Sequence, residues 1–160
     1  MSSEEAKRNS ISSFLVRTAE RWPDKPAVTF SGVTRTWLET KERCHAAATL
    51  FRRLGVEQGD RIAYLGLNSN VCFETYYSPA LIGAVFVPIN HRLSIGEMKE
   101  CLDDCAPKLL IVDENFGEHA KRLAKSCESF KETIYSGQML HSREGVSYED
   151  SVRAIIYSEE

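Results

Sequence analysis

No stretch of this 160-residue chain holds the roughly 20 consecutive apolar residues a bilayer-spanning helix needs. The longest near-continuous apolar run, Pro79 to Ile89, is interrupted by Gly83 and Pro88. Basic charge is also short. Twenty Lys and Arg face 23 Asp and Glu, a net charge of -3, whereas a nucleic-acid surface needs a basic excess or stripe. The opening Met1-Ser-Ser-Glu-Glu-Ala-Lys-Arg8 is acidic and polar. It lacks the basic-then-apolar order of a secretory signal and the acid-free composition of a mitochondrial presequence, so the expected compartment is the cytoplasm. Five cysteines cannot close a disulfide framework.

Chemical motifs are equally scarce. The nine glycines are scattered, with no G-x-G-x-x-G and no G-x-x-x-x-G-K-[ST]. Gly55 and Gly59 flank a bend that leads from helix to strand. A phosphate cradle needs a loop opening into a helix, so both read as turn residues. His45, His91, His119 and His141 lie in no serine-nucleophile elbow and no H-E-x-x-H arrangement. His45 and His119 are expected on exposed helix positions. The acidic doublets Asp103-Asp104 and Glu159-Glu160 point adjacent side chains about 100° apart on a helix and read as solvated charge. A metal site built from Cys101, Cys105 and His91 lacks a second Cys/His pair at structural-zinc spacing. The cysteines are expected to be core thiols instead: Cys44 shares a helical stripe with Ala47 and Phe51, Cys101 and Cys105 with Met98 and Leu102, and Cys127 with Leu123. No catalytic residue and no metal ligand emerges.

What the chain does have is an ordinary globular composition, 42% hydrophobic and 27% charged, and a regular rhythm of elements. A helix capped by Ser12 or Ser13 carries the stripe Phe14, Leu15, Thr18, Ala19 and Trp22, and Pro23 and Pro26 end it. Ala27 to Phe30 and Val33 to Thr36 form a hairpin around Ser31-Gly32. A long helix from Trp37 to Leu54 stops at Gly55. Strands then alternate with helices: strand 61–65, helix 71–82, strand 84–87, helix 95–105 opened by the capping box Ser94-x-x-Glu97, strand 108–112, helix 116–127, strand 132–135. The later strands are unbroken apolar runs, which indicates an α/β fold with a mainly parallel sheet covered by helices on both faces. The expected organisation is a loosely ordered 1–11, an α/β unit over 12–135, and a connecting segment over 136–160 with a short helix near Tyr148.

In open α/β sheets ligands bind beyond the carboxyl ends of the strands. Two loops fall there, Gly66-Leu-Asn-Ser-Asn70 and Pro88-Ile-Asn-His-Arg92. Asn68, Asn90 and Arg92 are the candidate ligand contacts. Arg92 could clamp a carboxylate or phosphate, and Asn68 could equally cap the following helix.

At these loops the sequence resembles a known family. The run Phe14-Leu-Val-Arg-Thr-Ala-Glu-Arg-Trp-Pro-Asp-Lys-Pro-Ala27 is similar to the opening of AMP-forming acyl-CoA synthetases, the adenylate-forming, AMP-binding family. Thr36-Trp37, Leu54-Gly55-Val56, Gly59-Asp60-Arg61-Ile62-Ala63, Leu67-Asn68-Ser69, Gly83-Ala84-Val85, Val87 to Leu93, and Leu109 to Asp113 continue the match in order. Tyr77-Ser78-Pro79 resembles the fatty-acyl branch. His91 stands where the family often has proline.

The resemblance implies the first portion of the N-terminal domain of a two-step ligase, in which a carboxylate is adenylated and then transferred to coenzyme A. ATP, Mg²⁺ and CoA are implied for the full-length family. The Ser/Thr/Gly-rich phosphate loop ending in Pro-Lys-Gly has no counterpart here, nor do the later motifs and the catalytic lysine. These 160 residues are therefore expected to hold no cofactor and to be inactive alone. Expected partners are the remainder of the enzyme or a second copy meeting an exposed face. The alternative is a non-catalytic interaction or regulatory module derived from the same fold.

Overall fold

The structure, a computed structural model, describes residues 10–127, 130, 132–137 and 146–158. The expected disorder before residue 10, His141 and the Glu159-Glu160 doublet lie outside these residues. Helix α1 (Ile11–Arg21) starts one turn earlier than the apolar stripe suggests. Its cap is Ser10, whose side chain accepts from the Ser13 amide, so Ser12 and Ser13 are helical residues. Strands β1 (Pro26–Phe30) and β2 (Val33–Thr36) pair antiparallel, with Phe30 opposite Val33. Ser31 and Gly32 both take positive φ, 50° and 78°, to make the tight turn. Helix α2 (Trp37–Arg53) opens with a capping box between Thr36 and Glu39.

Five parallel strands follow: β3 (Arg61–Leu65), β4 (Val85–Ile89), β5 (Leu109–Asp113), β6 (Glu132–Ser136) and β7 (Val146–Ser147). Their order is β4-β3-β5-β6-β7, with Arg61 beside Val85 and Ile62 beside Leu109. The crossovers carry α3 (Asn70–Leu81), α4 (Ile95–Cys105), a 3₁₀ turn (Glu114–Phe116) and α5 (Gly117–Ala124), and α6 (Tyr148–Ser158) closes the described chain. Strands β3, β4 and β5 are therefore parallel members of one sheet, as the apolar runs predict, with β4 and β5 each set one residue later than 84–88 and 108–112.

The two-residue period of the strands divides the core. Ile62, Tyr64, Leu109, Ile111 and Ile134 face α2, α3 and α6 through Ala47, Phe51, Val71, Tyr148 and Val152. Ala63, Leu65, Leu110 and Val112 face α4 and α5 through Met98, Leu102, Ala120 and Leu123. Helices thus cover both faces, which a parallel sheet requires. The stretch read as a connecting segment contributes β7 and α6, and α6 places Tyr148, Val152 and Ile155 in the core.

Several expectations shift. Helix 116–127 is shorter, because Asp113 caps the 3₁₀ turn and α5 ends at Ala124. Cys44 and Cys127 are buried as expected, but Cys101 is exposed and Cys105 is only half-buried; Cys72, which no helical stripe places, is half-buried too. Helix α4 buries just Met98 and Leu102, so Cys101 falls on the solvent side of a narrow stripe. His45 is exposed, whereas His119 is half-buried with its ring 5.5 Å from Phe116.

Candidate functional site

Because the five strands run parallel, their carboxyl ends share one edge of the sheet. The chain leaves β3 toward β4 on one side and β5 lies on the other, so the topological switch falls between β3 and β5. Such a switch opens a crevice where ligands bind in many α/β folds. Here the two loops close on each other. A Cβ at Gly66 would sit 2.5 Å from the Asp113 Cβ and 2.8 Å from the Tyr64 hydroxyl, so only glycine fits. Tyr64 donates to the Leu67 carbonyl at 2.9 Å and its oxygen lies 3.1 Å from Ser69 Oγ. Burial raises the Tyr64 pKa, against a lowering by its Ser69 bond, so the phenol stays protonated and donating. Asp113 Oδ1 accepts from the Asn115 amide at 2.8 Å.

The three sequence candidates lie on this edge in two neighbouring loops. Asn68, after β3, is exposed and borders a pocket of about 260 Å³ with Phe30, Ser69, Cys72, Phe73 and Tyr76. It does not cap α3. Ser69 does, accepting from the Cys72 amide at 3.1 Å. Asn90 and Arg92, after β4, are exposed, and Asn90 Oδ1 accepts from the Arg92 amide at 3.0 Å in a local turn. Next to this loop, the rings of His91 and His119 flank Phe116 at 5.6 and 5.5 Å.

The helix N-termini beside these loops are already capped. An anion at a helix N-terminus needs open amides. Ser69 occupies one at α3, and at α4 Ser94 accepts from the Glu97 amide while the Glu97 carboxylate accepts from the Ser94 amide. That carboxylate repels a further anion, and the Ser94 hydrogen bond holds its pKa below the usual glutamate range. Among the described residues, no three His, Cys, Asp or Glu side chains converge to hold a metal ion.

The densest polar cluster was not among the sequence candidates. Arg43 of α2 donates from Nε to Glu74 Oε1 at 2.6 Å and from Nη2 to Glu74 Oε2 at 3.1 Å. The same Nη2 meets both Glu149 oxygens at 3.0 Å. Tyr148 donates to Glu74 at 2.9 Å and Asn70 Nδ2 to Glu149 at 3.1 Å. The Glu74 side chain has no exposed surface. Burial alone would lower the Arg43 pKa, but hydrogen bonding and charge from Glu74, with Glu149, carry it above its ordinary value. Burial, then the Glu74 charge, pushes Tyr148 well up, so it remains a donor. One sequence signal could have found this cluster: Glu74 is the only charged residue of α3. The arrangement joins α2, α3 and α6. With one cation fully engaged by two carboxylates, its geometry is that of a structural clasp.

A second feature is apolar. Ser10, Ile11, Phe14, Phe73, Tyr76 and Tyr77 line an open groove of about 490 Å³ between α1 and α3. It adjoins the Asn68 pocket, sharing Phe73 and Tyr76. Phe14, Trp37, Phe73 and Tyr77 form a ladder of ring contacts beneath it.

Comparison with known proteins gives a consistent result. The family model described as "AMP-binding enzyme" matches residues 15–155. The chain is similar to a feruloyl-CoA synthase from an Amycolatopsis species, 36% identical over 118 residues, covering 74% of this chain and 23% of the relative. Among solved structures, a Mycobacterium tuberculosis fatty acyl CoA synthetase superposes with a TM-score of 0.79 at 24% identity, covering 95% of this chain and 29% of that one. The N-terminal domain of FACL13 from the same organism gives 0.78 at 24% identity, covering 94% and 36%. At these identities the structural likeness shows the fold. The chain spans about a quarter of the length of the curated relatives it matches.

Proposed function

The chain belongs to the AMP-binding enzyme family, and on that premise we propose that it is the N-terminal α/β portion of an ATP-dependent carboxylate–CoA ligase. The observation that carries the reading is the extent of the family match, which runs from α1 into α6 rather than over one motif. The whole enzyme's chemistry would be adenylation of a carboxylic acid followed by thioester formation with CoA. This portion supplies scaffold and strand-end loops. Segments outside these 160 residues would bring the groups that bind ATP, Mg²⁺ and CoA, a reading supported by the capped helix N-termini at the strand ends.

The acid we propose is a fatty acid. The Tyr77-Ser78-Pro79 resemblance and the 32% identity over 105 residues to a fatty acid–[acyl-carrier-protein] ligase of Streptomyces coeruleorubidus support it. An aromatic acid is the second reading, favoured by the 36% identity to a feruloyl-CoA synthase. The apolar groove between α1 and α3 supports packing against the remainder of the enzyme or against another copy.

The test is a chimera in which these residues replace the matching segment of a characterised relative. The reading predicts acid-dependent ATP–pyrophosphate exchange, greater with fatty than with aromatic acids. A chimera that folds, by circular dichroism, yet exchanges with neither acid class contradicts it.

A further inference from the structure

On helix α4, Cys101 and Cys105 stand four residues apart and therefore on one ridge, with Cβ atoms about 5–6 Å apart. Both are free thiols. Cys101 is exposed and Cys105 is half-buried. Cys105 Sγ lies 3.8 Å from the Leu102 carbonyl, so its side chain leans back along the helix toward the turn that carries Cys101. A direct disulfide needs Cβ atoms about 3.5–4.5 Å apart. The helical spacing is wider and leaves room for one bridging atom between the sulfurs. No three-ligand metal cluster forms among the described residues, so the bridging atom must be content with two thiolates.

We propose that Cys101 and Cys105 form a dithiol site that captures thiophilic electrophiles able to bind both sulfurs, trivalent arsenicals being the class that fits. With an arsine oxide, the two thiols form two As–S bonds and the As–O bond breaks. Oxygen leaves as water with the two thiol protons, and no oxidation state changes. Burial raises the Cys105 pKa. Cys101 is the exposed thiol, so it captures first, and Cys105 closes the ring at high effective concentration. The site is independent of the enzymatic reading above.

Phenylarsine oxide added to the reduced chain tests this, with intact mass as the readout under rising 2-mercaptoethanol. The parent chain and Cys127→Ser should each retain one phenylarsenic group. Cys101→Ser, Cys101→Ala and Cys105→Ser should release it at a monothiol concentration lower by on the order of a hundredfold, the advantage of an intramolecular second ligand. Cys101 is exposed, so its variants are expected to keep the parent circular dichroism. Retention at parental strength in a folded Cys101 variant, or release from the parent as easily as from the variants, would overturn the proposal.

Discussion

Arg43 holds two carboxylates from two other helices, and Glu74 sits beneath it with no path to solvent. Removing one partner of a buried pair leaves the other charge uncompensated, which costs about 3–5 kcal/mol. Arg43→Met should therefore lower the urea midpoint by an amount corresponding to that range, while Arg52→Met, on the same helix but exposed, should leave it nearly unchanged. Equal midpoints for the two variants would show that the clasp contributes nothing. None of this pairing is legible from the sequence, because Arg43 and Glu149 are 106 residues apart. Only the isolated charge of Glu74 in an otherwise uncharged helix hints that a partner exists. The loop residues tell a similar story. Asn68 and Ser69 are both good caps on propensity alone, and the chain's direction out of β3 assigns the role to Ser69.

At the scale of elements, the signals that could be read are those carried locally. The Ser94-x-x-Glu97 box fixes the start of α4, with reciprocal bonds formed as the motif requires. Ser31-Gly32 fixes the hairpin turn through positive φ at both positions. Strand β3 has the boundaries its apolar run predicts. Elements whose limits depend on neighbours were not legible. β7 is two residues long and exists because β6 offers an edge, and Cys101 is exposed because α4 buries so narrow a stripe. The capping box also sets a pH dependence. The Glu97 pKa lies below its ordinary value of 4.5 because of its Ser94 hydrogen bonds. A depressed folded-state pKa gives stabilisation that is complete above the unfolded value and is lost as pH falls through the folded one. Glu97→Gln should flatten that acid limb of the stability–pH curve. An unchanged limb in the variant would remove Glu97 as its source.

For the whole molecule, alternation of helices and apolar strands gave the class of fold, and order and register followed from three-dimensional packing that no single segment encodes. The surface is less complete than the core. Ile11, Phe14, Phe30, Tyr76 and Val85 are all at least 40% exposed, several around the α1–α3 groove. Exposed apolar clusters of this kind mark interaction sites, so the isolated chain should self-associate with rising concentration in light scattering. A monodisperse 18.1 kDa species that binds no hydrophobic dye would contradict that expectation.

The central proposal is that this chain supplies scaffold to an AMP-binding enzyme and that the reactive groups lie elsewhere in the enzyme. Adenylyl transfer needs cations and amides fixed around the phosphates, and the strand ends here present helix caps and a carboxylate instead. The direct measurement is pyrophosphate release by the 160-residue chain with ATP, Mg²⁺ and a series of fatty acids. The account predicts no release above a no-protein control. Turnover that disappears on substituting Asn68, Asn90 or Arg92 would contradict it.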